Sequence, residues 1–398
     1  RIYLSGARTL TSAGDMTLDA TTTKISGTST IDLSAVGAIN INDDMTSVGA
    51  VTMTADSDAN GTGDFNLAAG AEVDSGGTQI SLEANDVSLL GMINAGIANF
   101  LLWTSDAGSI GLGSVGGQGM TVSGAELQNI TASGLHLGHS DSGSIVVDGV
   151  TSANSANIAD KVYLQATGTD KTVTFNSTAS TFRTLKVDAD DGITINSDLT
   201  TTVGTLELDA DIDNAGDGDL TLAVSKTIDT QNADATITAN DIILNGSLTT
   251  GSGALNLLVS DGGTIGLGDA DKDYDLSKLE LSRITSGATQ IGDVTSGSIT
   301  VDNVSAADSN GISGMLTLDA TKDDANIVFE TAASIFNSLT AKSDDGISLS
   351  VDLTTDTGDM VLEADSDNAV DTAVTGDRIF LSGARTLTSA GNMTLDAT

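Results

Sequence analysis

The chain has 398 residues, no cysteine and no proline, and its 55 acidic residues against 15 basic ones give a net charge of −40. Such an acidic surface repels nucleic acid and anionic membranes, and the lack of cysteine excludes disulfide scaffolds and thiolate metal sites. No run of about 18 apolar residues is present, so no membrane insertion is expected.

The composition favours a chain made of short β-strands and turns. Average usage would place roughly 20 prolines in a chain of this length. Proline has no N–H to donate, so the central strands of a sheet exclude it. The 45 glycines, together with Asn and Asp, supply the turns instead. Aromatic residues make up only 3% of the chain, which suits a narrow stacked core of Leu, Ile, Val and Ala.

The opening segment of the chain returns at its end. Residues 1–21, RIYLSGARTLTSAGDMTLDAT, match residues 378–398, RIFLSGARTLTSAGNMTLDAT, at 19 of 21 positions. Chance does not produce this identity. We therefore expect residues 1–377 to be one full tandem repeat unit and residues 378–398 to begin the next, with further copies of the repeat in the same chain.

Between these copies, the commonest local pattern is Gly-x-apolar-x-apolar followed by small or acidic residues. Alternation of this kind places one face of a short strand inward and the other in solvent. The pattern predicts strands of about 4–6 residues separated by turns. It begins at Gly14, Gly49, Gly108, Gly143, Gly204 and Gly253.

Diverged copies of about 155 residues lie inside the long repeat. Residues 190–211 match residues 344–365 at 12 of 22 positions, and the sub-repeats are placed at 51–205 and 206–359. Offsets of 155 and 377 both divide into coils of about 22 residues, which gives seven coils per sub-repeat. We predict an all-β fold, a parallel β-helix or β-solenoid with about 22 residues per coil, right-handed by the usual crossover preference.

Three equivalent acidic turns are the candidate metal sites. Alternating carboxylates with Asn and Gly supply hard oxygen ligands, so calcium is the predicted ion. Ordinary turn residues on an acidic surface are favoured over calcium ligands at each single turn. An EF-hand is rejected, since Leu67 stands where that loop requires Glu. The candidate ligands are Asp56, Asp58, Asn60, Asp64, Asp209, Asp211, Asp213, Asp217, Asp365 and Asp367.

Two further features are singular in the sequence. His136 and His139 are the only histidines, and a surface turn is favoured over a metal or acid–base site. Trp103 is the only tryptophan, and alternation with Phe100 and Leu102 points it outward. Packing against the flank of the solenoid is favoured for Trp103 over stacking on a sugar or marking an interface.

Residues 241–267, DIILNGSLTTGSGALNLLVSDGGTIGL, and residues 378–398 resemble the filamentous haemagglutinin-like repeats of bacterial surface proteins. The likeness extends over the whole chain and consists of apolar pairs, Gly turns, and Asn, Thr and Asp between them. It implies a right-handed β-helix, secretion across a Gram-negative envelope, and a role as an adhesin or extracellular fibre.

Three functional hypotheses follow. The first is a structural, non-enzymatic segment of a long filament or stalk at or outside a bacterial cell surface, with lateral association into fibres. The second is an adhesin that binds glycans or neighbouring cells through lateral loops. The third, a polysaccharide lyase, needs acidic and basic residues clustered on one flank, and the 15 basic residues are scattered. No cofactor is predicted apart from calcium.

Overall fold

The computed structural model describes residues 2–20, 24–366 and 376–397. The chain divides into two compact units. The N-terminal unit comprises Arg1–Asp190 and Asn196–Thr202, and the C-terminal unit comprises Asp191–Ile195 and Val203–Thr398. Strands within each unit pair in parallel, which confirms the predicted all-β parallel solenoid.

The regular elements up to residue 189 are short strands and one helical turn. They are β1 (Ile2–Leu4), β2 (Arg8–Ser12), β3 (Met16–Leu18), β4 (Ile25–Gly27), β5 (Ile31–Ala35), β6 (Ile39–Ile41), β7 (Met45–Thr46), β8 (Val51–Thr54), β9 (Phe65–Leu67), β10 (Glu72–Asp74), β11 (Ile80–Ala84), β12 (Val87–Leu89), β13 (Met92–Asn94), β14 (Phe100–Thr104), β15 (Ile110–Gly113), β16 (Met120–Val122), α1 (Gly124–Gln128), β17 (Ile130–Thr131), β18 (Leu135–Leu137), β19 (Ile145–Asp148), β20 (Val162–Ala166), β21 (Val173–Phe175), β22 (Ser180–Phe182) and β23 (Leu185–Ala189).

The elements after residue 190 have the same character. They are β24 (Ile193–Ile195), β25 (Leu199–Thr201), β26 (Leu206–Asp209), β27 (Leu220–Leu222), β28 (Thr227–Asp229), β29 (Ala235–Ala239), β30 (Ile242–Leu244), β31 (Ser247–Thr249), β32 (Leu255–Val259), β33 (Ile265–Gly268), β34 (Tyr274–Ser277), α2 (Lys278–Leu281), β35 (Ile284–Thr285), β36 (Thr289–Ile291), β37 (Ile299–Asp302), α3 (Ala306–Ser309), β38 (Leu316–Ala320), β39 (Ile327–Glu330), β40 (Ser334–Phe336), β41 (Leu339–Ser343), β42 (Ile347–Leu349), β43 (Leu353–Thr355), β44 (Met360–Glu363), β45 (Ile379–Leu381), β46 (Leu387–Ser389) and β47 (Met393–Asp396).

The N-terminal unit has three faces. Its main sheet has the order β2-β5-β8-β11-β14-β18-β20-β23. A second face carries β1-β4-β7-β10-β13-β17 and the pair β22-β25, and a third carries β3-β6-β9-β12 and the series β16-β15-β19-β21. Most coils therefore contribute one strand to each face.

The C-terminal unit repeats this plan. Its main sheet has the order β26-β29-β32-β36-β38-β41-β44-β47. The second face carries β28-β31-β35 and β40-β43-β46, and the third carries β24-β27-β30 and β34-β33-β37-β39-β42-β45. Among the described residues, no helix is long and apolar enough to cross a membrane.

Alternation along each strand builds the core. In β5, Ile31, Leu33 and Ala35 are buried, whereas Asp32 and Ser34 between them are partly exposed. Parallel pairing then stacks each inward side chain on its equivalent in the next coil. Burial of one such aliphatic side chain stabilises the fold by roughly 1.5–3 kcal/mol, and a lone coil has nothing to bury it against.

Coil length varies more than the sequence predicts. In the N-terminal main sheet, the step from Ile80 to its partner Phe100 fits the predicted coil of about 22 residues. The next step, from Phe100 to Leu135, is much longer, because it carries β16 and α1 in addition to one strand for each face. The partners in this part of the main sheet are, in order, Val51, Ile80, Phe100, Leu135, Val162 and Leu185.

The C-terminal unit has almost the same succession of coil lengths. A short step from Ala235 to Leu255 is followed by a long step to Thr289, which carries β34 and α2. Six steps lead from Leu206 to Met360, whereas division by a uniform coil length predicts seven. The prediction has one coil too many because division by a uniform length counts the residues of the inserted loops as if they formed a coil of their own. The partners are, in order, Leu206, Ala235, Leu255, Thr289, Leu316, Leu339 and Met360.

The long step from Phe100 to Leu135 contains a helical turn that the hydrophobic period did not reveal. Helix α1 is closed by a capping box between Ser123 and Glu126. A carboxylate oxygen of Glu126 also accepts from the N–H of Leu89, 3.0 Å away in an earlier coil. The equivalent glutamate of α2 makes the same contact in the C-terminal unit, also at 3.0 Å. One glutamate therefore caps the helix and ties two coils together.

Glycine is required where the chain leaves β18. Gly138 has φ of +94°, and a Cβ there would lie 2.2 Å from the carbonyl oxygen of Gln165 in the next coil. Gly292 repeats this in the C-terminal unit, with φ of +79° and a distance of 2.4 Å to the carbonyl of Asp319. Any larger residue would both strain the backbone and push the coils apart.

The near-identical terminal segments occupy different faces of their units. Leu10 pairs with Leu33 in the main sheet of the N-terminal unit. Its equivalent, Leu387, pairs with Leu353 on the second face of the C-terminal unit, and Met393 enters the main sheet instead. All three faces demand the same alternation, so one sequence fits any of them. The recurring segment is therefore about one coil long, and its sequence does not determine the face on which it starts.

Candidate functional site

The first predicted calcium turn is organised by one buried carboxylate. The side chain of Asp56 accepts from the N–H groups of Asn60, at 3.0 Å, and Gly61, at 2.9 Å. It also accepts from the hydroxyl of Ser105, 2.7 Å away and two coils later. Asp56 is fully buried, so its oxygens serve the loop's own donors.

These donors set the charge of Asp56. Burial alone would raise the pKa of Asp56, but the hydrogen bonds from Ser105 and from the backbone of Gly61, Asn60 and Thr62 outweigh it. The pKa of this carboxyl therefore lies below its usual value. A carboxylate that accepts several N–H bonds is stabilised in its charged form.

The other ligands predicted in this turn are held by hydrogen bonds of their own. Asp58 accepts from the side-chain amide of Asn60 at 2.8 Å. Asp64 accepts from the amide of Asn85, 2.9 Å away in the next coil. The structure therefore gives Asp64 a partner between coils, and Asp58 one within the turn.

The second acidic turn repeats this framework in the C-terminal unit. Asp211 is fully buried and accepts from the N–H groups of Ala215, at 3.2 Å, and Gly216, at 3.0 Å, and from the hydroxyl of Ser260. Asp209 accepts from the N–H of Asp211 at 3.3 Å. Equivalent residues thus hold both turns closed.

Only the second turn, among the described residues, gathers three acidic ligands. Oxygens of Asp211, Asp213 and Asp217 lie within 4.8 Å of one another. Burial raises the pKa of Asp211, and contact with Asp213 also raises it. Hydrogen bonds from Ser260 and the backbone lower it, but the pKa stays above its usual value. The exposed carboxylates of Asp213 and Asp217, beside the buried Asp211, offer hard oxygen ligands for calcium.

Two residue differences explain why the turns differ. Asn60 holds Asp58 by its amide, whereas its counterpart Ala215 offers only a backbone N–H, which donates to Asp213 at 3.0 Å. The counterpart of Asp217 in the first turn is Thr62, which brings no carboxylate. The three-acid arrangement therefore depends on the side chains and not on the loop's backbone.

The third acidic turn is only partly described. Asp365 has one buried carboxylate oxygen with no hydrogen-bond partner among the described residues. Asp367 lies outside them. The prediction for these two residues therefore stays a prediction.

The structure also assembles a group of rings on the outer surface of the N-terminal main sheet, which we call the ring patch. Trp103 lies on this surface, as alternation predicts, with its ring centroid 6.0 Å from that of His139. The rings of His136 and Tyr163 meet edge to face at 5.1 Å. The ring patch consists of Trp103, His136, His139, Tyr163 and Lys186.

Parallel register brings these residues together from four coils. Leu101 pairs with His136, His136 with Tyr163, and Tyr163 with Lys186. The ammonium of Lys186 lies 4.7 Å from the centre of the Tyr163 ring. In the sequence, Trp103 and the histidines are separate features, and nothing links Tyr163 or Lys186 to them, because only the register between coils joins these residues.

Carboxylates border the ring patch. Burial raises the pKa of Glu83, and the charges of Asp141 and Asp56 raise it further. A hydrogen bond from Trp103 and the charge of His139 lower it, but they do not outweigh these effects. Asp141 lies 3.5 Å from the ring nitrogen of His139. The patch thus combines ring faces with negative charge.

His136 adds a ring without a charge. Burial lowers the pKa of His136, and the nearby lysines Lys161 and Lys186 lower it further. A hydrogen bond with Gln165 raises it but does not outweigh these effects. Its imidazole is therefore neutral near neutral pH.

No similar protein indicates what the acidic turns or the ring patch bind. Comparison of the chain with family models, curated proteins and solved structures finds no match.

Proposed function

We propose that this protein is a structural, non-enzymatic segment of an extracellular fibre, built from tandem β-solenoid repeats that form a long rigid filament or stalk on or outside a bacterial cell. The observation that carries the proposal is repetition at two scales. Each unit stacks coils in nearly the same succession of lengths, and the segment at 1–21 returns at 378–398. Copies of such a unit extend a structure without requiring a new fold.

Contacts between coils suit a structural element. The amide of Asn85 donates to Asp64 at 2.9 Å, and that of Asn240 donates to Asp219 at the same distance. A third bond of this kind, from the amide of one asparagine to that of another, joins β9 to β6 at 3.1 Å. These side-chain bonds run parallel to the backbone ladders, so separating two coils breaks both sets at once.

The partners and location in the proposal follow from charge and from the resemblance to filamentous haemagglutinin-like repeats. Further copies of the repeat in the same chain are the main partners, and lateral association builds thicker fibres. A net charge of −40 disfavours nucleic acid and anionic membranes as partners. Scattered basic residues supply no acid–base constellation, which supports a non-enzymatic role.

An adhesin that binds glycans or neighbouring cells through lateral loops is the second candidate. One observation favours it: the long steps carry an extra strand and a helical turn that the other coils lack, and Leu279 on α2 is 60% exposed. Leu279→Asp, which leaves the buried residues of this loop in place, would abolish glycan-array or cell binding by an adhesin of this kind. Binding that survives the substitution would count against these loops.

Small-angle X-ray scattering of the chain tests the fibre proposal. A solenoid segment gives the scattering of a rod, and at the lowest concentrations its cross-section is that of a single solenoid. A compact, near-spherical particle would overturn the proposal, since stacked coils cannot form one.

A further inference from the structure

The rings of the ring patch are not needed to build its coils. The C-terminal unit forms the same coils in the same register, with Leu258 beside Thr238 where Trp103 lies beside Glu83. The equivalent outward positions in that unit's main sheet carry aliphatic or polar side chains in place of the rings. The residues at those positions are Leu258, Gln290, Thr317 and Thr340.

The surroundings of the rings carry net negative charge. Glu83 and Asp141 flank the Trp103–His139 pair, and the side chain of Asp141 is 86% exposed. The single lysine of the patch does not neutralise them, because its ammonium is already paired with Asp188 at 3.3 Å. The patch therefore presents ring faces within a field that attracts cations.

We propose that the ring patch binds a basic peptide segment of a partner protein, with an arginine or lysine side chain against Trp103 and His139. A cation over an aromatic face is attracted by the ring quadrupole, and nearby carboxylates pair with the same cation. The protein already makes one such contact, since Lys186 lies over Tyr163. His139 is about half exposed, so its ring is accessible from solvent.

Charge selects this occupant over a carbohydrate. An anionic glycan is repelled by a chain of net charge −40, and a neutral one donates hydroxyl hydrogen bonds to the carboxylates beside the rings but forms no ion pair with them. A guanidinium gains from both features of the patch, because it stacks on a ring and donates paired hydrogen bonds to a carboxylate. This inference stands apart from the fibre proposal, which does not require a ligand.

Titration of the full chain with a hexa-arginine peptide tests the proposal. Trp103 is the only tryptophan, so its fluorescence reports directly from the patch. We expect a saturable change in that fluorescence and, by calorimetry, about tenfold weaker binding to Trp103→Leu. This variant keeps the net charge and installs the residue that the equivalent coil carries at Leu258, so the coil is expected to fold.

Two further variants separate the patch from diffuse attraction. Asp271→Asn removes one exposed charge from the C-terminal unit and is expected to bind hexa-arginine within twofold of the parent. His139→Ala is expected to weaken binding severalfold. Circular dichroism confirms that each variant is folded.

Equal binding by the parent and Trp103→Leu would overturn the proposal, because the peptide would then be held by overall charge alone. Absence of binding by the parent would overturn it as well. So would binding of a neutral oligosaccharide that is lost in Trp103→Leu while hexa-arginine binding is not, since the patch would then be a carbohydrate site.

Discussion

The hydroxyl of Ser105 donates to the carboxylate of Asp56 across 2.7 Å, although the two residues are 49 positions apart in the chain. Ser260 and Asp211, also 49 positions apart, form the same bond in the C-terminal unit. In both units a buried aspartate at an acidic turn therefore anchors a later coil as well as its own loop. The acidic turns therefore stabilise the contacts between coils, whether or not they bind a ligand.

Replacing Asp56 tests this structural role. Asp56→Ala leaves the donors of Asn60, Gly61 and Ser105 without their acceptor, so we expect the free energy of unfolding of the N-terminal unit to fall by about 2–4 kcal/mol. Urea denaturation followed by Trp103 fluorescence measures this. The exposed Asp58→Ala serves as the control, with a change within about 0.5 kcal/mol. Equal stability of the Asp56 variant and the parent would contradict the account.

Contact with Asp213 helps to raise the pKa of Asp211, and a substitution at position 215 should remove that contact. Ala215→Asn supplies the amide that Asn60 uses to hold Asp58, and we expect it to draw Asp213 away and lower the pKa of Asp211. The folded state of the parent holds the Asp211 proton more tightly than the unfolded state, so stability falls as pH rises above the unfolded-state pKa. The variant has a shallower fall. Carboxyl carbon chemical shifts followed by NMR give the pKa directly, and an unchanged Asp211 value would refute the explanation.

Calcium binding is predicted at the second acidic turn and not at the first. Asp211, Asp213 and Asp217 place three carboxylates within 4.8 Å, and we expect a dissociation constant of about 10⁻⁴–10⁻³ M, as in weak calcium modules. Calorimetric titration of the calcium-stripped chain measures it. Asp217→Thr, which introduces the residue that the first turn has at Thr62, is expected to abolish the heat of calcium binding. Identical titrations of the variant and the parent would show that this turn binds no calcium.

Asp275 predicts how stability responds to mild acid. Burial, together with the charges of Glu280, Asp241 and Asp271, raises the pKa of Asp275 to about 6. The folded state thus binds a proton that the unfolded state has released, so for this group stability is greatest below about pH 4 and declines as pH rises towards 6. Because Asp275 is partly exposed, the loss is about 1–2 kcal/mol after screening by solvent.

The N-terminal counterpart of Asp275 provides its control. Thr121 occupies the same position beside Asp86, and its N–H donates to Asp86 at 2.7 Å as that of Asp275 donates to Asp241 at 2.9 Å. Asp275→Thr should therefore fold normally, and its stability should decline less than that of the parent between about pH 4 and pH 6. Denaturant midpoints across that range measure the slope, and a slope as steep as that of the parent would assign it to other groups.

The sequence predicted the fold because alternation and glycine placement are local signals. Ile31, Leu33 and Ala35 alternate with polar residues, and the period of two places them inward whichever face they occupy. The same property made the face assignment unpredictable, since Leu10 and Leu387 have identical neighbours but lie on different faces. Inserted loops, which carry no period, account for the difference in coil number.

The sites were predictable only in part. Composition located the acidic turns, but it did not show that Asn60 and Ala215 give them different geometry. Tyr163 and Lys186 were not predicted, because they join Trp103 only through register across coils of unequal length. The capping boxes of α1 and α2 were visible as Ser-x-x-Glu, although helices of four or five residues have no hydrophobic period.

Cryo-electron microscopy of a protein that contains two successive copies of residues 1–377 tests the central claim most directly. A tandem solenoid predicts a particle that is longer than the single copy, has the same cross-section, and shows layers about 4.8 Å apart along its length. Two separate compact bodies, or a particle that grows wider instead of longer, would contradict the claim that the repeats extend one fibre.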